Sequence, residues 1–216
     1  MKITTTRVET FSDGVIAIII TIMVLQLKLP NLDKGGTTAQ IINHLKALGP
    51  YLFTYAFSFM MIGIFWTNHH HMFHLLEKTD EQLLWQNFLF LFLLSLIPLA
   101  TAIVGANPFI TISPVVYGIV MLATTLSYVV MRNYSHRKKL IHKDNNEFLN
   151  QQIIKVSHRA RIKAIIGACI YLISIPLAYV NVYLSYACFI IPPIIFFIPE
   201  GIDNEKLAQS VAEKNV

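Results

Sequence analysis

Apolar residues fall into six blocks along the chain, about 11–29, 47–67, 83–104, 109–131, 163–180 and 182–199. Each is close to the roughly 20 residues an α-helix needs to cross a bilayer core. A helix satisfies its own backbone N–H and C=O groups, which lipid cannot do, so the pattern predicts an all-α integral membrane protein with six spans. The last two blocks are nearly continuous from Ile162 to Ile198, and only Tyr179-Val180-Asn181 marks a tight turn between them. Pro176, Pro192, Pro193 and Pro199 are expected to kink or end these helices. The chain thus reads as one six-span domain over 1–216, with a basic connection at 132–162 and a tail at 200–216.

Composition adds the class of environment. Of 216 residues 55% are hydrophobic and 13% charged, and the mean hydropathy is +0.56, too apolar for a soluble domain of this length. The first block is of full spanning length and no small-residue cleavage site follows it, so it is expected to stay as helix one. Lysine and arginine set the orientation. Nine of them crowd the segment from Arg132 to Lys163, whereas the third-to-fourth and fifth-to-sixth connections carry none. That segment is therefore expected in the cytoplasm, and six spans put both termini there too, in line with Lys2 and Arg7. Lys28, Lys34 and Lys46 in the first outer loop run against the bias. The net charge of +5 follows from topology and calls for no nucleic acid.

Catalytic motifs are absent: no glycine-rich phosphate loop, no nucleophile elbow and no paired cysteine ligands, with Cys169 and Cys188 inside predicted spans as packing residues. No enzyme and no cofactor are expected. The informative chemistry is charge at membrane depth: Arg7, then Phe11-Ser12-Asp13 at the mouth of the first block. A carboxylate at the centre of a spanning helix costs about 3 kcal/mol, and less near an interface, so Asp13 should face protein or water. At 100° per residue Gly14, Ile18, Thr21, Ile22, Leu25 and Leu29 form one stripe, while Asp13 projects almost opposite, with Ile16 and Ile20. Lipid, a partner helix and a dewetting pore all accept such an aliphatic stripe.

Donors for Asp13 occur where the second block ends, in Phe65-Trp66-Thr67-Asn68-His69-His70-His71 followed by His74. Trp66 and His70 are four apart, as are His70 and His74, so each pair shares a face. Helix one begins and helix two ends on the same side, which puts Asp13 and the histidines at one depth. Four histidines there fit an interfacial polar cluster, an ion-pathway or proton-sensing network, or metal or haem ligation; no second ligand set on another helix supports the last.

Arg7-x-x-x-Phe11-Ser12-Asp13 with Trp66-x-x-His69-His70 in a six-span layout resembles the bacterial branch of the transmembrane-protein-175 potassium channels, over essentially the whole chain. The resemblance implies a potassium-selective leak channel of a bacterial plasma membrane, in which first helices line a central pore. Animal members carry two six-span repeats and dimerise; this chain has one, which implies a homotetramer whose partners are itself, lipid and permeant K+. The implied constriction is Ile18, with Thr21 and Leu25 further along the face and Ile22 alternating with Thr21 according to helix rotation. Arg7, Phe11, Ser12 and Asp13 with Trp66, His69 and His70 would form a polar network near the cytoplasmic entrance, with no resident metal. The chain has no TVGYG-like filter. Read from its residues alone, it is a polytopic pore or carrier, and a proton-coupled transporter or proton-permeable channel using Asp13 and the histidines is the alternative.

Overall fold

The computed structural model describes residues 4–27, 37–141 and 147–197, and among these it is built of helices. Helix α1 (Thr5–Ile22) tightens into a single 3-10 turn, Met23–Gln26. The short α2 (Thr38–Ala47) lies in what the hydropathy pattern reads as the first outer loop, because its polar residues give no spanning signal. Helix α3 (Gly49–His74) begins with Pro50, whose missing N–H goes unneeded in a first turn.

Helices α4 (Glu81–Ser95) and α5 (Ile97–Ala106) together make the third predicted span. Pro98 has no N–H for the carbonyl four residues back, so the α-ladder is interrupted and Leu96 N bonds Leu93 O at 3.2 Å instead. Asp80 starts this pair of helices: its Oδ1 accepts from Leu83 N at 2.8 Å, and Oδ2 accepts from the Tyr134 hydroxyl at 2.6 Å. Then follow α6 (Ile112–Arg137), α7 (Glu147–Val180) and α8 (Val182–Phe197). The expected turn falls at Asn181, whose Oδ1 accepts from Tyr183 N at 2.8 Å and opens α8.

Five helical stretches among the described residues are long and apolar enough to cross a membrane: Thr5–Leu25, Gly49–His74, Glu81–Ala106, Ile112–Arg137 and Ile153–Val180. The sixth block, predicted at 182–199, corresponds to a shorter apolar helix, Val182–Phe196, and the tail at 200–216 lies outside the described residues. Several helices outrun their apolar blocks. Helix α3 continues past 67 to His74, α6 past 131 to Arg137, and α7 begins at Glu147 rather than at 163, so much of the basic connection is helical. Hydropathy marks where lipid is crossed, whereas backbone hydrogen bonding carries a helix on into the polar zone.

Arg132 shows the consequence. Although counted with the basic connection, it is buried on α6, where Nη1 donates to Tyr128 Oη at 2.5 Å and Nη2 to Ser157 Oγ on α7 at 3.4 Å. The Tyr128 hydroxyl passes the chain on to Asn68 O of α3 at 3.0 Å. These bonds offset part of the cost of burying the guanidinium, whose Nε is buried without a partner. Helix α6 ends in a two-bond cap, Lys139 N to His136 O and Leu140 N to Ser135 O, which forces Lys139 to φ 54°.

The broadest contacts join α6 to α7 and α7 to α8, while α1 lies against α3 and α4. Phe90, Leu94, Ile97, Met121 and Met131 are fully buried between them. Close approach of α3 and α5 depends on Gly105, where a Cβ would meet the Tyr51 ring at 2.7 Å.

Candidate polar network and the bare face of the first helix

Helix α1 has three kinds of surface. Val8, Ser12, Ile16, Ile19 and Met23 are buried against the subunit. Of the aliphatic stripe, Gly14, Ile18, Thr21, Ile22 and Leu25 are uncovered, with Ile18 59% and Leu25 71% exposed, while Leu29 lies outside the described residues. Arg7 begins that same uncovered face. The Thr21 hydroxyl donates back to Ala17 O at 2.9 Å and Ile18 O at 3.0 Å, which leaves its lone pairs facing outward. Between the two surfaces run flanks that meet α3 on one side and α4 on the other. Phe11 packs edge-on against Phe88 of α4, centroids 5.7 Å apart.

The α3 flank carries Glu9, Asp13 and the partly buried Ile20. Asp13 Oδ1 accepts from Trp66 Nε1 at 2.9 Å, so the carboxylate takes its donor from the end of α3. Trp66 in turn lies over His70, centroids 5.6 Å apart and planes 21° apart. His70 Nδ1 is 3.1 Å from Glu9 Oε1, and its ring meets His74 edge-on at 4.5 Å. Glu9 is therefore part of the arrangement, although no sequence pattern singled it out; its signal is the i, i+4 spacing to Asp13 on the same face.

His69 sits one residue away and in a different world. It is fully buried, stacked between Phe73 at 4.4 Å and Phe90 at 5.5 Å. Its Nε2 is 2.8 Å from Asn87 Oδ1, and Asn87 Nδ2 donates to Ser12 Oγ at 2.8 Å, which donates to Val8 O at 2.8 Å. Since the Asn87 amide nitrogen is committed to Ser12, its oxygen faces the histidine and His69 Nε2 carries the proton. Nδ1 of His69 is then the unprotonated nitrogen, and it is buried without a partner. One polar chain thus ties α3, α4 and α1. Asn87 escaped the sequence reading, although an amide pair, Gln86-Asn87, inside the Leu83–Ser95 apolar run is the kind of pattern that marks interhelical bonding in membranes.

Of the residues singled out from sequence, Ser12 and His69 meet through Asn87, and Asp13, Trp66 and His70 meet directly. Phe11 packs beside them, whereas Arg7 stays on the exposed face. Ile18, Thr21, Ile22 and Leu25 remain together and uncovered.

Comparison with known proteins agrees in fold and sequence. A family model described as "Endosomal/lysosomal potassium channel TMEM175" matches residues 7–98, the part that holds α1, α3, α4 and both polar groups. A potassium channel from a Chryseobacterium species is 34% identical over 90% of this chain and 93% of its own length. Another from Streptomyces collinus is 31% identical over 84% of this chain and 85% of its own. The crystal structure of a lysosomal potassium-selective channel TMEM175 homologue from Chamaesiphon minutus superposes with TM-score 0.74 at 27% identity, covering 89% of this chain and 95% of that one. The chain belongs to the TMEM175 family of ion channels, and is not an enzyme.

Proposed function

We propose that this protein is a potassium-selective leak channel of a bacterial plasma membrane, a homotetramer with both termini in the cytoplasm and α1 of each subunit lining a shared pore. The observation that carries this reading is the bare stripe of Ile18, Thr21, Ile22 and Leu25 on a helix whose other faces are held by its own subunit. One such face cannot enclose a path, but several around an axis can, and closed cyclic symmetry is the usual solution. Four Ile18 side chains then form a hydrophobic constriction that resists wetting, in place of a carbonyl filter of the TVGYG kind. The outward lone pairs of Thr21 replace part of an ion's hydration shell. Preference for potassium rests on the relatives, which are named potassium channels.

The test is cation flux into liposomes that contain only this protein. Potassium flux should exceed sodium flux, and Ile18→Asn should raise both, because the amide keeps similar bulk while offering donors and acceptors to water. Ile20→Asn, on the flank packed against the core, is the control. Equal rises for the two variants, with both assemblies intact, would overturn the pore face.

A second reading, proton passage, is favoured by one observation: Glu9, Asp13, His70 and His74 adjoin one another at one end of α1 and α3. Proton flux driven by a pH gradient, abolished by Asp13→Asn, would support it; no proton flux at any gradient would dismiss it.

A further inference from the structure

We infer that Glu9, His70 and His74 form a binding site for a transition-metal dication of the zinc class, clamping α1 to α3. One ligand atom from each of the three lies within 4.8 Å of the others, with Glu9 on one helix and the histidines one turn apart on the second. At metal–ligand distances of about 2.0–2.2 Å, neighbouring ligand atoms around a tetrahedral ion are roughly 3.3–3.5 Å apart. The Glu9–His70 separation of 3.1 Å is already near that value. His70 Nδ1 is moreover shut off from solvent and makes no hydrogen bond, because the Glu9 oxygen, though near, is not aligned with it. A carboxylate beside an imidazole nitrogen, close but unaligned, leaves both atoms able to turn their lone pairs to one ion.

The remaining geometry serves a ligand as well. Two imidazoles at i, i+4 plus one carboxylate make a three-residue donor set that leaves a fourth position for water, as open zinc sites do. Imidazole nitrogen selects zinc, nickel or copper over magnesium and calcium, which want oxygen. The Trp66 ring stacked on His70, itself fixed by its hydrogen bond to Asp13, holds the imidazole plane in place, as outer partners of metal ligands do. His74 is exposed, which gives the ion a way in from the aqueous side. With the ion bound, the helix that carries Ile18 gains a second tie to α3 beside the Asp13–Trp66 bond. The site stands whether or not α1 lines a pore, since it lies within one subunit.

The experiment is metal binding to untagged, chelator-treated protein in detergent, with cobalt as the spectroscopic probe and zinc as the competitor. One cobalt per subunit with the intense visible bands of a four-coordinate ion, displaced by zinc, is expected. His74→Ala and Glu9→Gln should each weaken binding at least tenfold, and His158→Ala, on α7, should leave it unchanged. His74 is exposed at a helix end, so its removal spares the fold. Zinc should also raise the unfolding temperature of the wild type and not of His74→Ala, because an ion that binds only the folded state stabilises it. Cobalt bound as tightly by both His74→Ala and Glu9→Gln as by the wild type, or no binding above that of a buffer blank, would overturn the site.

Discussion

Two polar groups grow from the same turn of α3 and behave as opposites. His69 joins Asn87 and Ser12 in a closed chain in which every bond runs between buried atoms. His70, one residue later, joins Glu9, His74, Trp66 and Asp13 in an open arrangement that water reaches. A step of 100° around one helix separates them. The closed chain contributes to holding α1, α3 and α4 in register, because a polar group buried without its partner is costly. The side chains of the open group are only partly covered, with His74 exposed, which leaves them accessible to ions. Neighbouring histidines in a sequence therefore need not share a role.

The contrast makes a sharp demand of Asn87. Asn87→Leu keeps the bulk, leaves His69 Nε2 without its acceptor and takes away the bond that Ser12 Oγ accepts, so it should destabilise the protein by about 2 kcal/mol, well above the roughly 0.6 kcal/mol average of a single interhelical bond in a membrane. Unfolding in detergent measures it. A loss no greater than that of the open-group variants would break the distinction between the two groups.

Smaller effects are expected in the open group. Trp66→Phe keeps the stack on His70 and removes the donor to Asp13, and should cost about 1 kcal/mol. Asp13→Ala should cost a similar amount and reduce the assembled protein more than it alters ion preference. Since both remove one bond, the double variant should be little worse than either single one. Full additivity would mean that Asp13 has a different partner from Trp66. Normal assembly of Asp13→Ala with a large change in the potassium-to-sodium flux ratio would make the carboxylate conductive rather than structural.

The smallest change lies outside both groups. Lys139 holds the left-handed position of the α6 cap, which glycine adopts without strain, so Lys139→Gly should stabilise by about 0.5 kcal/mol or less. A calorimetric shift of that size, with flux unaltered, would also show that neither polar group depends on this cap.

Much of this was legible in the residues themselves. Five of the six apolar blocks coincide with helices long and apolar enough to cross a membrane, and the sixth with a shorter apolar helix. The 100° rotation separated the Ile18 stripe from Asp13, and the structure indeed leaves one uncovered and bonds the other. The likeness of Arg7, Phe11-Ser12-Asp13 and Trp66-x-x-His69-His70 to one channel family pointed to the family that comparison then bore out. Hydropathy was poorest at helix ends, where Arg132 reads as cytoplasmic charge and proves to be a buried link between helices.

What only the tertiary structure decided is which polar residues meet. A sequence states that Asn87, Glu9 and four histidines exist, and helical periodicity places each on a face of its own helix. It does not state how α4 is turned towards α1, and that rotation alone delivers Asn87 to Ser12 and His69. Likewise the spacing of His70 and His74 shows two donors, while the carboxylate opposite them comes from a helix some sixty residues earlier. Local pattern is set by the period of a helix; partnership between helices is set by the summed packing of all of them, which no single segment contains.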